Sequence, residues 1–267
     1  MAKRDDRPDY RKVLQGVSNA TGTSLMDVFR SWVKLCACAM SCGAREAEYM
    51  EEIRRWDPAH AEAFAEALGH LRLQMEARPY EDLLGDTFQE NLSASRATQM
   101  GQFFTPTELC RLMARMSIEP ARFREGRVVE VYEPTSGSGR CVLAFWEAMA
   151  ASGLPATCAR ATCWDVDPLS ADMTVVNLSL SGIPAMVVQG NTLSQKVEKT
   201  TYTPLWPFAR SIGLEGAPEE ILGIFHALRT IVEEAVETLP DEMTAPEPVA
   251  VALEEKGQYA MDFQEAA

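Results

Sequence analysis

Apolar residues recur at helical spacing through the first third of the chain. From Ser24 onward, Leu25, Val28, Phe29, Trp32, Val33, Leu35 and Cys36 fall on one helical face, and Ser24 is placed to cap it. A second helical stretch covers about 44–55. A third opens at Asp57-Pro58, a cap followed by a first-turn proline, and runs through Phe64, Ala67, Leu68, Leu71 and Met75 until Pro79. A fourth lies near 80–92. Residues 1–12 are charged and read as frayed. Nothing before 95 has strand character, so residues 1–95 form an all-helical region whose expected role is packing or protein contacts.

The pattern then changes period. Thr105 reads as a helix cap, with Pro106 at the first helical position and Glu108 completing a capping box; the helix continues through Leu112, Met113 and Met116. Such a start presents an aromatic ring, free amides and a hydroxyl at the positive end of a helix, which suits a polar ligand with a carboxylate. Next, the β-branched run Val128, Val129 and Val131 leads into Glu133, Pro134, Gly137 and Gly139, and an apolar helical pattern follows through Val142, Leu143, Phe145, Trp146 and Met149. This is strand, glycine-rich turn and helix, the first unit of a doubly wound α/β sheet whose ligands lie at the carboxyl ends of the strands. Glu133 at the strand end is placed to accept hydrogen bonds from a ribose or an ammonium group. A second strand, 161–167, ends in acids and is followed by a helix through Met173, Val176, Leu178 and Leu180. A third, 185–188, leads into Gly190-Asn191-Thr192-Leu193, after which the alternation stops. Residues 201–208 read as an aromatic, proline-rich loop, 218–239 as one helix, and the end from Pro240 as disordered.

Charge narrows the partners. The 267 residues carry a formal net charge of −14, which argues against holding nucleic acid by bulk electrostatics. Much of it lies after residue 214, whereas Arg111, Arg115, Arg122, Arg124 and Arg127 make a locally basic stretch. No apolar run reaches the roughly 20 residues that span a bilayer, and the first seven residues lack the apolar core of a signal peptide. The seven cysteines are odd in number and scattered, which fits a reducing cytoplasm. Cys36, Cys38 and Cys42 cluster inside a helical pattern without a second CxxC or nearby histidine, and His60, His70 and His226 lie far apart, so no metal site is expected.

Taken in order, these stretches resemble the N6-adenine DNA methyltransferases related to type I restriction–modification subunits, including short relatives found in phages and prophages. The resemblance covers about residues 80–206. Asp82-Leu83-Leu84-Gly85 looks like the family's pre-motif helix, and Gly101-Gln102-Phe103-Phe104-Thr105-Pro106 like the motif that flanks S-adenosylmethionine. Glu133-Pro134-Thr135-Ser136-Gly137-Ser138-Gly139 resembles the main cofactor loop, Asp165-Val166-Asp167-Pro168 the ribose-contacting strand end, and Gly190-Asn191-Thr192-Leu193 the adenine-contacting one. The resemblance implies S-adenosylmethionine as cofactor and Phe104, Thr105, Glu133, Pro134, Gly137, Gly139, Asp165 and Asn191 as its contacts. Asn191 stands where the family often has aspartate, so its contact lacks charge assistance.

The family activates the adenine amine with Asn or Asp, Pro, Pro and an aromatic residue after a fourth strand. This chain has no such sequence. Its nearest equivalent in order is Thr203-Pro204-Leu205-Trp206, in which Trp206 would stack on a flipped base and Thr203 would accept one hydrogen bond, with Pro204 between them. The alternative reading is that this loop merely packs, with Trp206 buried against the sheet. The expected organisation is a helical region (1–95), a Rossmann-like cofactor domain (96–214) with a truncated sheet, a covering helix (215–239) and an acidic tail (240–267). Three functions follow: adenine methylation in DNA through an altered catalytic loop, a non-catalytic module acting through protein partners, or methyl transfer to another acceptor. Partners implied are DNA, held weakly by this chain alone, and a protein completing the sheet. Gln258, Met261 and Phe263 also resemble a peptide that docks on bacterial sliding clamps.

Overall fold

The computed structural model describes residues 8–91, 104–119, 123 and 128–209. The expected covering helix, acidic tail and clamp-like peptide lie outside the described residues, as do residues 101–103 of the cofactor-flanking motif.

Five helices build the N-terminal part: α1 (Tyr10–Thr21), α2 (Leu25–Ala39), α3 (Glu46–Ile53), α4 (Pro58–Ala77) and α5 (Leu83–Asn91). The first was not expected. Asp9 caps it by accepting from the Arg11 amide, and Gly22 ends it with φ 69. Tyr10 is buried: its hydroxyl donates to Leu83 O (2.9 Å) and pairs with Thr87 Oγ1 (2.6 Å), while its ring stacks on Trp32 at 5.4 Å. Pro8–Lys12 are therefore anchored, not frayed, because one aromatic residue reaches across to α5. Ser24 caps α2 as its sequence implies, accepting from Asp27 N. Asp57 precedes α4 but makes no side-chain cap bond.

The sheet has four strands in the order β1 (Val129–Glu133), β2 (Ala159–Asp165), β3 (Ala185–Asn191) and β4 (Lys196–Tyr202). The first three are parallel, joined by α7 (Arg140–Ala151) and α8 (Pro168–Leu180); α6 (Thr107–Ser117) precedes them and packs on α7. Right-handed crossovers running one way across a sheet put both helices on the same face. That face is made by Ala159, Ala161, Cys163, Ala185 and Val187, small residues that let α7 and α8 lie close, and all are buried. The core they form is continuous with that of the N-terminal helices, from Tyr10 and Trp32 through Leu143 and Trp146 to Leu178 and Ile183.

β4 makes the truncated sheet four-stranded. It runs antiparallel to β3 with Met186 opposite Tyr202 and a bulge at Gln189/Gly190. Only Val197 among Lys196–Tyr202 is aliphatic, and an edge strand of this kind has no apolar alternation to reveal it. The 201–208 segment is thus the end of a strand followed by a 3₁₀ turn at Trp206–Phe208, and the hairpin returns the chain to the amino-terminal end of the parallel strands.

A charged cluster ties these layers together. Arg45, before α3, donates to Asp172 Oδ1 (2.6 Å) on α8 and to Glu48 (2.9 Å), and Glu48 also accepts from Lys199 Nζ (2.6 Å) on β4. Partial burial raises the Glu48 pKa, but the hydrogen bonds from Arg45 and Lys199 outweigh it and bring it down to about 2. A carboxylate whose folded pKa lies below its unfolded value of about 4.3 contributes stability above that value and loses it as pH falls toward the folded one. We expect Glu48→Gln to lower stability at neutral pH by about 1–2 kcal/mol, solvent screening included, and to flatten the pH dependence between about 4.5 and 2. Urea titrations of both proteins across that range check this; parallel curves would show that Glu48 adds no net stabilisation.

Candidate functional site

The carboxyl ends of β1, β2 and β3 carry the residues singled out by sequence. β1 ends at Glu133, and the loop Pro134–Gly139 then turns into α7, with Gly137 at φ 56 and Gly139 at φ 87, left-handed angles that favour glycine. Phe104 lies directly over Gly137: a Cβ there would fall 3.0 Å from its ring. Ser136 N donates to Trp164 O (2.7 Å), and Gly137 N donates to Asp165 Oδ2 (2.8 Å). Asp165 Oδ1 accepts from Asp167 N (2.9 Å), while Asp167 caps α8 through Ser170. Asp165 therefore clasps the glycine loop to the end of β2. Thr192 Oγ1 donates to Pro134 O (2.6 Å), which fastens the turn after β3 to the same loop.

Two acids converge here, Glu133 and Asp165. Burial is the main cause that pushes the carboxyls of Glu133 and Asp165 above the ordinary carboxylate range, and the negative charge of Asp165 adds to the shift at Glu133. Neither forms an ion pair among the described residues. Exposed apolar side chains flank them, Val166 after Asp165 and Leu193 after Asn191. A half-buried acidic site over a glycine turn, with the Phe104 ring against it, fits S-adenosylmethionine, which presents an ammonium, a sulfonium and ribose hydroxyls along with a flat aromatic base.

Three expectations are modified. The capping box at Thr105 does not form: α6 begins at Thr107 with Pro106 as its cap and no side-chain cap bond. The Thr105 carbonyl instead accepts from Arg140 Nη1 (3.4 Å), and Glu108 pairs with Arg111 (3.3 Å). Asn191 Oδ1 accepts from Leu193 N and Ser194 N, so the amide oxygen expected at an adenine is holding its own turn.

The largest change concerns Thr203, Pro204 and Trp206. Thr203 is buried, its hydroxyl donating to Ile183 O (2.7 Å) and accepting from Ala185 N (2.8 Å). Those partners sit at the start of β3, opposite Ala161 of β2 and four residues below the level of Asp165, a separation of about 13 Å along the strand. Trp206 is 8% exposed, packs on Tyr202 at 5.4 Å, and has the Arg160 guanidinium 5.1 Å over its ring. Pro204 lies in the turn between them. The antiparallel hairpin carries all three to the wrong end of the sheet for chemistry at Asp165, and their observed work is packing. The catalytic assignment of these residues is corrected accordingly.

Sequence reasoning also missed the supports of the loop. Asp82, just before α5, is buried and accepts from Ser138 Oγ (2.5 Å), Arg140 Nε (2.8 Å), Asn177 Nδ2 (2.8 Å) and Gly85 N (2.9 Å). Thr174 on α8 donates to Gly137 O (2.8 Å), and Asn177 to Ser138 O (2.9 Å). Beside the loop, Cys141 Sγ lies 3.2 Å from Cys110 Sγ of α6, and burial pushes its thiol up to about 12.

With this geometry in view, comparison with known proteins is informative. Residues 79–204 match the N-6 DNA methylase family model. The match spans the Asp82 segment, the glycine loop, the Asp165 strand end and the turn at Asn191, so the resemblance read in the motifs is shown, and S-adenosylmethionine is the cofactor it implies. Among solved structures, a Listeria monocytogenes protein described as a class I S-adenosylmethionine-dependent methyltransferase aligns with 12% identity and a TM-score of 0.38. The alignment covers 70% of this chain and 54% of that one, so the chain spans about half that protein's length. No curated protein matches the chain significantly. No helix among the described residues is long and apolar enough to cross a membrane.

Proposed function

We propose that the N-6 DNA methylase-like segment binds S-adenosylmethionine at the carboxyl ends of β1–β3 and serves methyl transfer to adenine in DNA. The observation that carries the reading is the clasp of Gly137 N to Asp165 beneath Phe104, beside Glu133 at the end of β1. Asp165, at the end of β2, would accept from the ribose hydroxyls. Glu133 would face the amino-acid portion, and Gly137 and Gly139 would allow close approach. Bound S-adenosylmethionine supplies an electrophilic methyl group. The residue that accepts hydrogen bonds from the adenine amine would come from outside the described residues or from a partner subunit.

A second reading, a cofactor-binding module without catalysis of its own, is favoured by one observation: Thr203 and Trp206 are spent on packing at the far end of the sheet. Calorimetric titration with S-adenosylmethionine tests the common part. Micromolar binding is expected, weakened about tenfold or more by Asp165→Ala, the scale for losing hydrogen bonds to a charged group. No binding by the unaltered chain sinks both readings. Transfer of a tritiated methyl group to unmethylated DNA separates them: incorporation supports the enzyme, and binding without incorporation supports the module. Trp206→Ala should leave cofactor affinity unchanged.

A further inference from the structure

We infer that Asp82 is a positioning residue for the cofactor loop, through which the N-terminal helical region sets the shape of the site. The inference rests on the cofactor reading above. Four donors from four places in the fold converge on one carboxylate: the Gly85 amide of α5, Ser138 of the loop, Arg140 at the start of α7, and Asn177 of α8. Its side chain is 1% exposed, so water does not compete for these bonds. Ser138 stands between the two left-handed glycines, and a hydrogen bond at that one position fixes a turn that glycine leaves free.

Arg140 carries the connection onward. Its Nη2 donates to Asp86 (2.6 Å), its Nη1 to the Thr105 carbonyl (3.4 Å), and its guanidinium lies 5.8 Å from the Phe104 ring centroid. Phe104 in turn stacks on Phe88 of α5 at 5.7 Å and lies over Gly137. The same carboxylate thus orders the floor of the site, through Ser138, and its side wall, through Arg140, Phe104 and Thr105. Asp82 is not expected to touch the cofactor. Helix α5, which Asp82 opens, is part of the site's frame and not only a surface for partners.

The test compares S-adenosylmethionine dissociation constants by calorimetry for the full chain, Ser138→Ala, Asp82→Asn and Glu52→Gln, with melting temperatures alongside. Glu52, itself buried, anchors a network of Ser31, Lys34 and Arg55 in the helical region, away from the loop. Ser138→Ala and Asp82→Asn should weaken binding about tenfold or more at a temperature where both are folded, and amide exchange at 136–139 should rise without change in α2. Glu52→Gln should lower the melting temperature and leave affinity as it was. Should Asp82→Asn not fold, Ser138→Ala decides. Affinity within twofold of the unaltered chain in the folded variants overturns the inference and leaves the cofactor reading standing. No binding by the unaltered chain overturns both.

Discussion

Gly85→Ala is expected to lower the thermal midpoint by about 10 °C. By helix propensity alone the sign would be the opposite, since alanine in a helix is favoured over glycine by about 1 kcal/mol. Space decides it. A Cβ at this position would fall 2.0 Å from Asp82 Oδ2 and 2.5 Å from Ser138 Oγ. A carboxylate on a free side chain would swing away cheaply, but this one is held by four donors. Displacing it leaves Arg140 buried without its partner, a loss on the scale of breaking a buried ion pair, about 3–5 kcal/mol. Even after the propensity gain, about 2–4 kcal/mol of destabilisation is left, which for a domain of this size moves the midpoint by several degrees or more. Differential scanning calorimetry reads it directly. An unchanged or raised midpoint would mean the carboxylate relocates freely and the network is loosely held.

That network marks where sequence reading reaches its limit. The glycine loop, Asp165 and the α/β alternation are local features: a β-branched run, two glycines and an acid at a strand end announce themselves within fifteen residues. Asp82 pairs with Ser138 and Asn177, 56 and 95 positions away. In sequence it looks like the polar residue that opens a helix before Leu83 and Leu84. The Asp82-Leu83-Leu84-Gly85 stretch resembles a family motif, but nothing local names the distant partners of its carboxylate.

Strand β4 shows how one missed element misplaces a site. Lys196–Tyr202 carries lysines, threonines and a glutamate because an edge strand meets water along one side and needs no apolar row. With 196–200 unassigned and 201–208 read as loop, Thr203-Pro204-Leu205-Trp206 is free to follow the strand ends as a catalytic segment would. Once the hairpin is present, direction alone excludes this, because an antiparallel strand delivers whatever follows it to the opposite end of the sheet. The helix at Tyr10 was hidden by a different cause. Tyr10, Leu14 and Val17 fall on one face, but the charged residues before them resemble a solvated terminus, and only burial against Trp32 and Leu83 makes them core.

Arg140→Met should destabilise by about 3–5 kcal/mol at pH 7, because the substitution fills the space and leaves Asp82 charged, buried and without its cation. The ion pair's worth is then measured by what its loss exposes. Burial already pushes the Asp82 carboxyl above its ordinary range, with Arg140 and the hydrogen bonds opposing the shift. Without Arg140 the opposition shrinks and the folded pKa rises further. A carboxyl whose folded pKa exceeds its unfolded value of about 3.9 costs stability above the folded pKa, and that cost is relieved as pH falls toward the unfolded one. The deficit of the variant should therefore narrow between pH 7 and about pH 4. Urea unfolding of both proteins at several pH values provides the measurement, with stability differences compared at each. A deficit constant with pH would assign the loss to the contact of the Arg140 guanidinium with the Phe104 ring. A deficit that narrows on acidification assigns it to the stranded charge, and with it the role of this pair in holding the loop that faces the proposed cofactor.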